Sequence, residues 1–174
     1  MSIMPDADPL GPLTRRAALH LDAAEGWLEL GNPVEANQEL EKITPQLQAH
    51  PDVLQVRWNV YAKTGKWEAC ADIAQALCKL VSRYSVGFIH LAYSLHEMKL
   101  TKEALNTLLP VAHKFPDEWQ IPYNLACYSC QLGELKEAWQ WLERAFTISD
   151  KVEIKTKALE DRDLEPLWKQ IGAI

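Results

Sequence analysis

The 174-residue chain is 48% hydrophobic and 24% charged, which is the composition of a soluble protein that forms one domain. Its formal net charge of −6 argues against binding to nucleic acid or to an anionic membrane, because phosphate contacts need an excess of Lys and Arg. No apolar run approaches the roughly 18 residues that a membrane span requires.

The amino-terminal sequence MSIMPDADPLGPL contains acids and prolines where a secretory signal would have a basic start and an apolar core. We therefore predict a disordered lead over residues 1–13 and a cytoplasmic location. Free thiols are predicted at all four cysteines, at positions 70, 78, 127 and 130. A chain of this length needs no disulfide, and the cytoplasm would not keep one.

The first helices have recognisable start signals. Thr14 is the predicted N-cap of a helix over residues 17–30. Asn32, Pro33 and Glu35 then supply a capping side chain, a proline at the first helical position, and an acid three residues after the cap. A second helix is therefore predicted to begin at Pro33.

Prolines and one threonine mark the later helix starts. Pro51 opens the next helix, and Thr101 is the predicted N-cap of a helix over residues 102–114. Pro122 lacks an N–H and disfavours helix in the residue before it. Its helix is therefore predicted to begin only around residues 121 to 123.

A helix–turn–helix unit recurs along the chain. Residues 133–146, GELKEAWQWLERAF, place an apolar stripe on one helix face, at positions 135, 138, 139, 142, 145 and 146. The turn before this helix recurs every 34 residues (65−31, 99−65 and 133−99), at Gly31, Gly65, Lys99 and Gly133. In the same register the second helices carry small residues, as close helix crossings require: Ala36, Cys70, Ala104 and Ala138.

With this period, the segments YNLACYSCQLGELKEAWQWLERAF, TGKWEACADIAQAL and LAYSLHEMKLTKEALNTLLPVAHKFP resemble the tetratricopeptide repeat (TPR) family, and in particular small bacterial proteins of that family. The resemblance covers residues 17–150. It implies an all-α fold, a right-handed superhelix of about four helix–turn–helix repeats with a C-terminal capping helix. Three positions depart from the pattern. Lys99 replaces the turn glycine, Arg57 occupies an otherwise apolar column, and Trp58 fills a position that is otherwise Ala. The second copy therefore packs unusually or turns Arg57 towards a partner.

The predicted organisation follows from the repeat. Four copies fill residues 14–150, with approximate boundaries of 17–50, 51–84, 85–118 and 119–150. Residues 151–174 form a capping segment, since a repeat array needs an atypical end to cover its last apolar stripe. That segment is predicted to contain a helix over residues 152–159 and a final turn anchored by Trp168.

Stacked helical hairpins form a superhelix whose first helices line a concave groove. The side chains predicted to face this groove include rings and amides that can hold a peptide: Glu25, Gln55, Asn59, Ile89, His90, Tyr93, His96, Tyr123, Asn124 and Cys127. The alternative is that these are ordinary solvated helix positions. One subgroup of the family clamps an acidic C-terminal tail with Lys, Arg and Asn, but the matching positions here offer no cation other than a histidine. We therefore expect a neutral or basic segment as the partner.

Cys127 and Cys130 share one helix face, and His96 on the neighbouring hairpin could approach them. Zinc sites normally need four ligands, and a redox CxxC usually lies at a helix start, whereas this pair lies in mid-helix. The thiols are therefore predicted to be structural, with no metal and no cofactor. The sequence contains no nucleophile elbow, phosphate loop or His-Glu metal motif, so we expect no enzyme.

The leading hypothesis is a non-enzymatic scaffold or adaptor that binds a peptide or helical segment of another protein in the groove. One alternative is a dedicated chaperone for a secretion or assembly substrate. Another is a metal- or thiol-dependent protein that uses Cys127 and Cys130. The sequence does not name the partner or the oligomeric state.

Overall fold

A computed structural model describes residues 11–174, and within that range the chain forms ten α-helices and no strand. Most of the lead predicted to be disordered, residues 1–10, lies outside the described residues. The chain divides after Gly87 into two compact units, and each unit is described by itself.

The first unit consists of two helical hairpins and the start of a fifth helix. The helices are α1 (Arg15–Glu29), α2 (Pro33–Glu41), α3 (Pro51–Lys63), α4 (Trp67–Leu80) and α5 (Val86–Glu97). Only the first two residues of α5 belong to this unit. As predicted, Thr14 caps α1 by accepting from the backbone N–H of Ala17, and Asn32 caps α2 by accepting from that of Glu35. The first two start signals are confirmed.

The second unit contains the rest of α5 and the remaining helices. These are α6 (Thr101–Leu108), α7 (Gln120–Gln131), α8 (Leu135–Ile148), α9 (Lys151–Glu160) and α10 (Trp168–Gly172), with 3₁₀ segments at Leu109–Val111 and Arg162–Leu167. Helix α7 packs against both α6 and α8, and the 3₁₀ segment Arg162–Leu167 packs on α7. The capping segment is therefore part of the second unit's core.

The four predicted turns share one backbone conformation. The φ angles are positive at each turn position: 75° at Gly31, 69° at Gly65, 66° at Lys99 and 80° at Gly133. In each turn the next residue donates its N–H to the carbonyl five residues earlier, which closes the helix end as in a Schellman motif. Lys99 therefore adopts the glycine conformation, and the 34-residue period is confirmed at the level of the backbone.

The small-residue column of the second helices is completely buried. Ala36, Cys70, Ala104 and Ala138 are each 0% exposed. Close helix crossings leave no room for larger side chains there. The register of the repeat is therefore correct in all four copies.

Two expected helix boundaries were wrong, and a third differs by one residue. Thr101 is not an N-cap but the first residue of α6, and its hydroxyl instead lies 3.0 Å from Nδ1 of His96. Helix α6 ends at Leu108 instead of continuing to residue 114, because Pro110 cannot donate to the helical ladder. Helix α7 begins at Gln120, one residue earlier than expected, since Pro122 occupies the first turn, where its missing N–H costs nothing.

Arg57 packs within its own unit. Its guanidinium donates to Glu41 Oε1 at 2.8 Å and also to the side chain of Gln48. Gln48 in turn donates to the carbonyl oxygens of Leu40 and Ile43, at 2.8 and 2.7 Å. Of the two alternatives for this departure from the repeat pattern, the structure supports unusual packing of the second copy.

Candidate functional site

In the first unit, the predicted groove residues lie at or near the surface. Glu25 and Gln55 are exposed and Asn59 is half-buried. Gln55 lines a cleft of about 420 Å³, together with Pro51, Asp52, Leu77, Val81, Arg83, Tyr84, Ser85 and Val86. Leu77 is buried, whereas Tyr84 is 54% exposed. The cleft thus combines apolar walls with polar side chains, which is the usual composition of a site that receives part of another molecule.

Gly87 sets the close approach between the start of α5 and the end of α4, beside this cleft. A Cβ atom built on Gly87 would lie 2.7 Å from the backbone nitrogen of Cys78 and 3.0 Å from the backbone carbon of Leu77. The shorter distance is below what a Cβ atom tolerates against backbone, so a side chain at position 87 would force the start of α5 away from the end of α4.

In the second unit, the predicted groove residues divide into two groups. His90 and Asn124 are half-buried and Tyr93 is 38% exposed. The other four are buried: Ile89, His96, Tyr123 and Cys127. The first group is accessible to a partner, whereas the second is covered within the unit.

The cover over α7 is the capping segment. Asp161 Oδ2 accepts a hydrogen bond from the Tyr123 hydroxyl at 2.9 Å and lies 3.7 Å from the Cys127 thiol. Asp163 Oδ2 lies 2.9 Å from His96 Nε2. Two aspartates of the segment are therefore bonded to three residues that sequence reasoning assigned to the groove. The periodic pattern gave no signal for this, because the contacts join residues 34 to 67 positions apart.

Trp168 holds the capping segment against α9. Its indole Nε1 donates to the carbonyl oxygens of Ala158 and Asp161, at 3.0 and 3.2 Å. Leu164, Leu167 and Ile171 are buried in the same hydrophobic cluster as α7 and α8. The two aspartates are thus carried on a segment with its own apolar anchors.

The titratable groups of α5 and α7 near this segment are kept in their neutral forms. Burial raises the pKa of Tyr93 to about 12, with a further contribution from Glu97, Asp161 and Asp163. Burial likewise raises the pKa of the Cys130 thiol to about 11 and that of Cys127 well above its ordinary value. Thiolates are the reactive form of cysteine, so neither thiol is activated for redox or nucleophilic chemistry.

No metal site is supported by the geometry. Over residues 11–174, no three side chains of the His, Cys, Asp and Glu types come together as metal ligands. His96 bonds to Asp163 and Thr101. The metal-dependent hypothesis therefore has no support from the placement of these residues.

A second cleft, of about 490 Å³, lies on the outer face of α8 where the capping segment meets it. It is lined by Leu135, Lys136, Trp139, Gln140, Glu143, Pro166, Leu167 and Gln170. Gln140 and Glu143 are both exposed on this face of α8. This cleft is therefore a second candidate surface, which competes with the first-helix surfaces.

Comparison with solved structures gives related folds at low sequence identity. TTC0263, a thermophilic TPR protein in Thermus thermophilus, matches with a TM-score of 0.70 at 18% identity, over 91% of this chain and all of that one (100%). MamA matches with a TM-score of 0.66 at 14% identity, over 79% of this chain and 80% of that one. The chain has a tetratricopeptide-repeat fold. A double mutant of MamA RS-1 also matches, with a TM-score of 0.67 at 16% identity over 93% of each chain.

These structures confirm the fold that the 34-residue period predicts, and at this identity they show the fold alone. No family model and no curated protein matches the sequence. Among the described helices, none combines the length and the apolar character needed to cross a membrane.

Proposed function

We propose that the protein is a non-enzymatic scaffold that binds a peptide or helical segment of another protein on the surfaces of its first helices. The observation that carries this proposal is the cleft beside α3, where the exposed amide of Gln55 and the exposed ring of Tyr84 stand next to the buried side chain of Leu77. Proteins with repeat folds use extended surfaces of this kind to bind other proteins.

The chemistry of the site supports a binding role over catalysis. Partial burial raises the pKa of Tyr93, and burial raises the pKa of the Cys127 and Cys130 thiols, so these groups lack the lowered pKa that an activated nucleophile requires. The free thiols of Cys70, Cys127 and Cys130 fit the reducing cytoplasm, which is the location we propose.

We further propose that the bound segment is neutral or basic. Exposed or half-buried carboxylates accompany the first-helix surfaces in both units, at Glu25, Asp52, Glu97 and Asp163. Opposite charge on the partner would accelerate encounter and select against acidic segments.

A partner captured from lysate of the source cell, purified and then titrated by calorimetry, tests the surface assignment. Asn59→Ala and Tyr93→Ala, each alone and then combined, remove an amide and an exposed ring from the predicted surface. The combined variant is expected to bind about tenfold more weakly or worse, since an aromatic anchor often contributes about 2 kcal/mol. Helical content by circular dichroism should not change.

The matched comparison is Gln140→Ala combined with Glu143→Ala, which alters the second cleft and should bind like the unmodified protein. If this pair abolishes binding while the first-helix variants do not, the partner uses the outer face of α8. The first-helix proposal would then be wrong.

A further inference from the structure

The cleft beside α3 lies wholly within the first unit, and two stretches of chain line it. Three residues from the first two turns of α3 form one side, and the end of α4 with its connection to α5 forms the other. The connection is held by its own backbone. Val81 donates its N–H to the Leu77 carbonyl, and Tyr84 donates to the Val81 carbonyl, both at 2.9 Å. The space of about 420 Å³ is therefore bounded by ordered chain on both sides.

The buried part of the lining is apolar. Leu77 and Pro51 are buried, and Val81 and Val86 are half-buried. The proline adds a ring from α3 and has no N–H that would need a partner. An aliphatic side chain that enters this space would remove its own surface and that of the walls from water. The lining thus favours an apolar side chain as the group that enters.

Asp52 adds a negative charge to the lining, and its side chain is 63% exposed. Its carboxylate lies 3.6 Å from Nδ1 of the buried His50. That nitrogen accepts from the Asp52 backbone N–H at 3.2 Å, while Nε2 lies 3.0 Å from the carbonyl oxygen of Gly11. Because a carbonyl can only accept, Nε2 carries the ring proton and Nδ1 has none to share with the carboxylate. His50 therefore does not neutralise the charge of Asp52.

Arg83 adds a positive charge to the same lining, and its guanidinium is engaged with an aromatic ring. The guanidinium carbon lies 5.1 Å from the centroid of the Tyr84 ring, which is a cation–π distance. An anion that used the Arg83 charge would have to compete with this ring, whereas the Asp52 carboxylate is open to solvent. A cation beside the apolar group is therefore the better match to this cleft.

We propose that the cleft binds a large aliphatic side chain of the partner segment, and that a lysine or arginine next to this side chain pairs with Asp52. The proposal deepens the proposed function and rests on it, because it states which side chains of the segment enter the cleft. The aliphatic side chain is the anchor that supplies most of the affinity, as buried anchors do at other interfaces. The neighbouring base selects against acidic segments.

Three blocked pentapeptides test this chemistry without knowledge of the partner. The first has a central leucine between two lysines, with glycine at each end. The second replaces the leucine by serine, and the third replaces both lysines by glutamate. Each would be titrated into full-length protein with isotope-labelled leucine and valine methyl groups, and the NMR signals of Leu77, Val81 and Val86 would be followed. Val34 on α2, which is 63% exposed and does not line the cleft, is the internal control.

The lysine–leucine–lysine probe should shift the three cleft signals and leave that of Val34 unchanged. Serine in place of leucine should weaken binding by about tenfold or more, because the apolar anchor is lost. Glutamate in place of lysine should weaken it by about threefold or more. An equal shift at Val34, no shift at millimolar probe, or a serine probe that binds as well would overturn the anchor. Tighter binding of the glutamate probe would show that Arg83 sets the sign, which would overturn the pairing with Asp52.

Substitution of Asp52 locates the charge effect. The quantity compared is the ratio of the affinities for the lysine and glutamate probes. Both probes are measured on the same variant, so any change in the stability of the first turn of α3 cancels. The ratio should fall to about one or below in Asp52→Asn and should be inverted in Asp52→Lys. Asp72→Asn, the same change at an exposed position of α4 outside the cleft, should leave the ratio unchanged. A ratio that persists in Asp52→Asn, or is lost equally in Asp72→Asn, would overturn the assignment.

Failure of the cleft chemistry can be separated from failure of the proposed function by panning a random twelve-residue peptide library on the full chain. Enrichment of a large aliphatic residue next to lysine or arginine, lost with Asp52→Lys, supports both. Binding of peptides without this pair keeps the function and overturns the cleft chemistry. If no peptide is enriched while the lysine–leucine–lysine probe shifts the cleft signals, the cleft chemistry stands, and binding of a protein segment is the claim that fails.

Discussion

Two helical glycines of the first unit should respond in opposite directions to the same substitution. Gly26 in α1 has no atom within 4 Å of the place where a Cβ would stand, whereas at Gly87 that place is 2.7 Å from the backbone nitrogen of Cys78. Alanine is a better helix former than glycine by about 0.5–1 kcal/mol. Gly26→Ala should therefore stabilise the protein by that amount.

At Gly87 the same gain is outweighed by overpacking. The clash is with backbone, which cannot rotate away, and overpacking of this kind costs about 1–3 kcal/mol. Gly87→Ala should therefore lower the stability by up to about 2.5 kcal/mol after the helix gain is subtracted. In thermal melts of a chain of this length, a difference of 1 kcal/mol corresponds to about 2–4 °C. If Gly87→Ala raises the melting temperature as Gly26→Ala does, α5 does not approach α4 as described, and the cleft beside it is misplaced.

Three further outcomes can be checked with purified protein. Ala138→Leu should lower stability by about 1–3 kcal/mol in urea denaturation, because Ala138 is 0% exposed at a close helix crossing; a neutral result would contradict the repeat register. Burial lowers the pKa of His90 to about 4, so its contribution to stability is present above about pH 6.5 and is lost as the pH falls towards 4. The stability difference between the unmodified protein and His90→Gln should therefore shrink over that range, and a pH-independent difference would contradict the shift. Burial raises the pKa of Cys70 and Cys130 to about 11, so iodoacetamide at pH 8 should label neither of these two thiols until the protein unfolds. Rapid labelling of Cys70 or Cys130 in the native protein, located by peptide mass spectrometry, would refute their burial.

The fold could be predicted from the sequence because it is repeated. Each turn ends its first helix in the same left-handed conformation, and each second helix carries one small residue where the helices cross. Even Lys99, which breaks the glycine pattern, keeps the conformation, with a φ angle of 66°. The turn and small-residue pattern is a weak predictor in any one copy. It becomes a strong predictor when it recurs at the same spacing in four copies, because a departure in one copy can be recognised from the other three.

The candidate site was less predictable because it depends on contacts that occur only once. Nothing in the local pattern shows that Asp161 and Asp163 lie on α7, or that they bond to Tyr123 and His96. Thr101 illustrates the same limit at shorter range. Threonine is a common N-cap residue, but here its hydroxyl lies within hydrogen-bonding distance of the His96 ring instead. A polar side chain hydrogen-bonds to the best-placed partner in the folded structure, whereas capping propensity reflects only the partners that are close in sequence.

The central claim is that the partner lies on the first helices, and photocrosslinking tests it most directly. p-Benzoylphenylalanine would replace Gln55 in one variant and Gln140 in another, and each variant would be irradiated with the purified partner. Both positions are exposed, and each lines one of the two clefts. Crosslinks to the partner are expected from position 55 and none from position 140. Crosslinks from position 140 alone would contradict it.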